Sequence, residues 1–289
     1  MAMSAGANVT GAPAWLAPIG WIGRAASHAL GRLGSTALLL LATAAAPFRR
    51  RALDDDGPTL RAATVHELSW MLAAGLPLVG LVHVAMGSFL SLQAYFGSTF
   101  VDGTGAVVGV GLLRNLASMM TGLTLAGLLP GRIVPELRRA RRAEGGDGPG
   151  ADGRAAAARI AAATAAAPLL SLWGCVVGTL VGWKSSEALM GLSTEMYFMM
   201  LVQMLWFRDV VGVIVKGAVF GAVTAALACA EGLGEPPPEA DEPVATAGSV
   251  VRTACLAMAA ILLANMTWFL FIYHAVPIYG PSLLQPPTP

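Results

Sequence analysis

Residues 68–96 read LSWMLAAGLPLVGLVHVAMGSFLSLQAYF, 29 residues without one Asp, Glu, Lys or Arg. The hydrocarbon core of a bilayer is about 30 Å thick, and roughly 20 helical residues cross it. A stretch this long and this free of charge is expected to span a membrane as a helix. The rest of the chain has the same character. Of 289 residues, 56% are hydrophobic and 12% charged, with mean hydropathy +0.66, whereas a soluble domain carries about 25% charge.

Four further apolar tracts have spanning length: 105–130, 156–183, 209–230 and 250–274. The second is expected to end near Pro130, and an apolar lead-in at 196–207 precedes the fourth. Upstream, LGSTALLLLATAAAPF (33–48) is closed by Arg49, Arg50 and Arg51. It is short for a span, and it begins too far from the N-terminus for a signal peptide. Residues 13–47, with Trp15 and Trp21, read as helical material lying in the interface. The expected fold is therefore an all-α polytopic membrane protein, an N-terminal interfacial helix followed by five transmembrane helices. Its parts are an N-terminal region (1–64), a transmembrane domain (65–276) and a short tail (277–289).

Orientation follows from lysine and arginine. Six arginines precede the first span, and Arg132, Arg138, Arg139, Arg141, Arg142, Arg154 and Arg159 lie between the second and third. The 97–104 connection has none. The positive-inside bias places the N-terminus and a 131–158 loop in the cytoplasm, and five spans then put the C-terminus in the periplasm. The acidic 231–248 stretch, EGLGEPPPEADEPVATAG, falls on the cytoplasmic side by parity and reads as an irregular, solvated loop.

Small residues recur at helix-packing intervals: Gly174, Gly178 and Gly182, then Gly217 and Gly221. Such ridges let helices approach closely in lipid. The three cysteines, Cys175, Cys229 and Cys255, lie inside apolar tracts and read as small packing residues. The four histidines form no ligand cluster, so no metal site is expected. P-loop and nucleophile-elbow motifs are absent, and no pair of acids lies within the spans, so no catalytic residues and no cofactor of the chain's own are expected. Glu136 and Asp209 are placed at span ends, where water is available.

Polar residues at membrane depth are the candidates for function, because a central Arg or Lys costs about 2.5–3.5 kcal/mol even on a lenient insertion scale. These are Gln93, the adjacent Arg114 and Asn115, Lys216 and Asn265. They either line a polar path or brace the bundle. Glu136 and the arginines Arg138, Arg139, Arg141 and Arg142 are candidates for a cytoplasmic partner contact.

The stretch SLQAYFGSTF…VGLLRNLASMMTGLTLAGLLPGRIVPELRR (91–139), together with DVVGVIVKGAVFGAVTAALACAEG (209–232) and SVVRTACLAMAAILLANMTWFL (249–270), resembles the MlaE/YrbE family. Members of that family are permease subunits of ABC transporters that work with MCE-domain lipid carriers. The resemblance rests on Gln93, Leu112, Leu113, Arg114, Leu116, Ala126, Gly127, Glu136, Asp209, Lys216, Phe220 and Gly221. It implies a permease in the bacterial inner membrane that moves phospholipid or another hydrophobic lipid. The implied partners are a second permease subunit, a cytoplasmic ATPase that holds the ATP and Mg, and a periplasmic MCE protein, with no nucleic acid. The chain departs from the family at Asn115 and Asn265, where carboxylates are usual, and at Leu128, where arginine is usual. Its 131–158 stretch also lacks the family's coupling-helix pattern. Two other readings therefore stand beside the first: a divergent half of a heterodimer that does not couple to an ATPase, and a scaffold that transports nothing.

Overall fold

The computed structural model describes residues 31, 34–41, 43, 60–97, 106–143, 149–234 and 242–274. The elements among them are helical: α1 (Leu60–Gly97), π turns at Ala106–Val110 and Leu112–Leu116, α2 (Ala117–Ala143), α3 (Pro149–Met190), α4 (Thr194–Met204), α5 (Phe207–Leu233), α6 (Glu242–Trp268) and a closing π stretch, Phe269–His274. Five helices are long and apolar enough to cross a membrane. The fold is the expected all-α polytopic one. Most of the N-terminal region and the 277–289 tail lie outside the described residues. Residues 34–41 are helical, and Leu39 and Leu40 pack against the main core.

The predicted glycine ridges are where the helices meet. A Cβ on Gly174 would lie 2.5 Å from the His83 ring, and one on Gly87 would overlap the Gly178 carbonyl. Ser91 Oγ donates to the Gly182 carbonyl at 2.9 Å. Residue numbers rise together along this contact, so α1 and α3 run parallel. Gly217 meets Pro168 and Gly221 meets Ala163 and Ala167, which makes α3 and α5 antiparallel. Gly122 lies on Phe220 and Gly232 on Leu137, setting α2 parallel to α5. Backbones this close gain dispersion contacts that larger side chains would prevent.

Around these contacts Met71, Leu125, Leu129, Ile133, Leu137 and Leu170 form a core at most 1% exposed. The outer helices differ: Leu81 and Phe89 on α1, and Leu263 and Met266 on α6, are more than half exposed. In a membrane-spanning bundle that apolar surface faces lipid, where an exposed leucine is solvated rather than stranded.

The helices outrun the expected spans. α2 passes through Pro130 and Pro135 to Ala143, because Ile133, Val134 and Leu137 are buried against neighbouring helices that hold the helix across each proline. The expected 131–158 loop is thus largely the ends of α2 and α3. The 231–248 loop is likewise helical at both margins, and Glu231 there is paired with Arg138 at 3.6 Å and Arg252 at 2.5 Å. The lead-in before the fourth span is the separate helix α4.

Substituting Gly221→Ala or Gly87→Ala should lower stability by about 1–3 kcal/mol, the usual cost of overpacking. Gly131→Ala, with open space around its Cα, should be neutral or slightly stabilising. Thermal unfolding of the three variants in detergent checks this ordering.

Candidate functional site

The site is built around the second π turn. Two π turns interrupt the helix ahead of α2, and the second carries Arg114 and Asn115. Such wide turns inside helices recur at functional sites. Arg114 Nε lies 3.1 Å from both carboxylate oxygens of Asp209, and its Nη2 donates to the Met204 carbonyl at 2.9 Å. Lys216, 2% exposed, donates from Nζ to the Arg114 carbonyl at 2.6 Å. One arginine therefore joins the π turn to the end of α4 and to two turns of α5.

Asp209 is where the structure corrects the sequence reading. Expected at a watery span end, it is fully buried. Burying a carboxylate costs several kcal/mol unless it is paired and hydrogen-bonded. Here Arg114 pairs it, and the Trp206 backbone N–H donates to its Oδ2 at 3.1 Å. The first turn of α5 adds the favourable end of a helix dipole.

On the other side of the same turn, Asn265 Nδ2 donates to Asn115 Oδ1 at 2.8 Å and lies 3.5 Å from Met119 Sδ. This amide pair joins the π turn to α6. Arg114, Asn115, Lys216 and Asn265 are thus brought together, whereas Gln93 lies exposed on α1 and shares no hydrogen bond with them.

At the opposite end of the bundle the candidate contact residues divide. Glu136 accepts from Arg132 Nε at 2.7 Å and from Arg159 Nη2 at 3.0 Å. Glu67 completes the group, 3.6 Å from Arg132 and 3.3 Å from Arg159. The Arg132 guanidinium lies 3.8 Å from the centre of the Trp70 ring, which adds a cation–π contact. Arg138 is buried and donates to Ser249 Oγ at 2.8 Å, and Arg141 donates to the Leu233 carbonyl. Arg139 and Arg142 are exposed. Several arginines of this end therefore hold α1, α2, α3, α5 and α6 together rather than sit in water.

Sequence reasoning missed two further features. His83 is buried, with Nδ1 2.8 Å from the Val79 carbonyl and Nε2 unpartnered; its only signal was Gly174, whose missing side chain makes room for the ring. The helix α4 was legible only as an apolar lead-in. Among the described residues no group of three or more His, Cys, Asp or Glu could hold a metal ion.

Residues 153–270 match the protein family described as Permease MlaE. The matched segment contains Asp209, Lys216 and Asn265 but not the π turn that meets them. No curated protein matches the chain.

Neutralising Asp209 leaves the Arg114 guanidinium without the carboxylate it pairs with. Asp209→Asn should destabilise the bundle by roughly 2–3 kcal/mol, at or below the low end for a broken buried pair, because Arg114 keeps a side-chain exposure of 32%. Combining it with Arg114→Gln should recover about 1–2 kcal/mol relative to the sum of the single changes. A double-mutant cycle from unfolding in detergent measures this coupling.

Proposed function

Because residues 153–270 match the Permease MlaE family, we propose that this chain is the membrane-spanning subunit of an ABC transporter that moves lipid between the inner membrane and a periplasmic MCE-type carrier. The family match carries this reading. The fold supports it: five spans, lipid-facing outer helices, and polar groups at depth that brace helices instead of forming a catalytic set. ATP hydrolysis then belongs to a separate cytoplasmic ATPase, and a second permease subunit completes the membrane part. The arginine-rich end faces the cytoplasm and the α4 end faces the periplasm, by the positive-inside rule.

Within this reading Arg114, Asn115, Lys216 and Asn265 brace the bundle beside the lipid path. At the cytoplasmic end, contact with the ATPase falls to Arg139 and Arg142, which are exposed on α2, while Glu136 and Arg138 hold the helices that carry them. The internal use of Arg132, Arg138 and Arg159 favours a second reading, a divergent half of a heterodimer whose docking surface is reduced.

Native mass spectrometry of the complex purified from its own membranes tests the assignment. An ATPase, an MCE protein and two permease chains are expected, and recovery of this chain by itself would overturn the transporter reading. Two copies of this chain support a homodimer; one copy with a different permease supports the heterodimer. Arg139→Glu should reduce ATPase co-purification at least several-fold without lowering the melting temperature. Arg138→Ala should lower that temperature, since it leaves Glu231 with one fewer partner. Equal loss of ATPase and of stability in Arg139→Glu would remove Arg139 from the contact.

A further inference from the structure

Among the described residues, α4 is joined to its neighbours through non-helical backbone at both ends. It enters through Gly191, whose φ of +65° is left-handed, and through the non-helical Leu192 and Ser193. It leaves through Leu205 and Trp206, both extended. Both joints are therefore non-helical, and 11 residues of helix lie between them. Along its length α4 packs inward at a handful of points, among them the Trp183–Phe198 ring pair with centroids 5.4 Å apart. Tyr197 is buried with its hydroxyl 3.4 Å from the Thr179 carbonyl, Leu201 fills the notch left by Gly109, and Trp183 Nε1 donates to Thr194 Oγ1 at 3.2 Å. Met199, on the opposite face, and Met204, at the C-terminal end, are about half exposed.

At its C-terminal end α4 is held by one charged group. Arg114 Nη2 donates to the Met204 carbonyl while its Nε stays on Asp209. The last carbonyls of a helix lack partners within it and favour a cation. The guanidinium can serve both neighbours because its nitrogens form a rigid fork, which an ammonium lacks. We propose that Arg114 is a positioning residue, the latch that closes α4 as a hinged flap over the π turn Ala106–Val110 and the end of α3. Release of the latch leaves the Arg114–Asp209 pair intact but frees the helix, uncovering Val108 and Leu192, which are now buried, and opening this end of the bundle to an apolar guest. The guest's identity as a membrane lipid rests on the function proposed above; the latch does not.

Hydrogen exchange on the full chain in nanodiscs tests the latch. In Arg114→Lys, which keeps a cation for Asp209 but has one nitrogen, exchange across 194–204 should rise at least tenfold. Exchange in α2 and α5 should change less than twofold. Unchanged exchange in 194–204, or an equal rise across all helices, overturns the latch. Leu201→Ala provides the second arm, leaving Arg114 untouched. It should loosen the first half of α4 more than residues 202–204, and equal loosening along the helix overturns the proposal. Lipid transfer by the reconstituted complex then separates the two ideas. A released α4 with wild-type transfer rejects the gating role. Absence of transfer by the wild-type complex counts against the permease reading and leaves the exchange result standing.

Discussion

A fully buried carboxylate needs partners from within the protein, and in this bundle the answer to Asp209 organises one whole end. Its partner arrives from a different helix, on a π turn that swings Arg114 across to α5. The same turn offers its carbonyl to Lys216, so a second cation is satisfied by backbone rather than by another acid. Since lipid offers no hydrogen bonds, each of these groups fixes the position of the next. The result is a polar knot in which α2, α4 and α5 are located relative to one another more narrowly than apolar packing would require.

That knot also explains how the chain manages with asparagine at positions 115 and 265. The two side chains meet at 2.8 Å. Two carboxylates at this spacing could not both ionise, and one would have to hold a proton. Amides make the same link between the second and last spans with no charge to neutralise. The acid that Arg114 needs is Asp209, which stands next to Arg208 in the sequence and 95 residues from its partner.

The opposite end is held differently. There the pairs Glu67, Glu136, Arg132 and Arg159, and Glu231 with Arg138 and Arg252, form where helices emerge. Isolated exposed pairs contribute little, about 0–1 kcal/mol each, but networks that share partners lose less side-chain freedom per contact. They orient five helices at one level. Their use inside the fold leaves a smaller outward surface for partners than the count of arginines suggests.

Span number, helical class and the glycine contacts followed from the sequence alone, because they depend on local quantities: the length of an uncharged run and the spacing of small residues along one helix. Gly174, Gly178 and Gly217 could be read as packing positions before any partner was known, since a missing side chain matters whatever lies opposite. Only the tertiary structure decided who pairs with whom. Asp209 looked solvated because its neighbours in sequence include Arg208 and a span boundary. The burial of Asp209 and its link to Arg114 depend on helices brought side by side, and no local pattern encodes that distance. The same holds for α4, whose last residue accepts a hydrogen bond from an arginine 90 positions away.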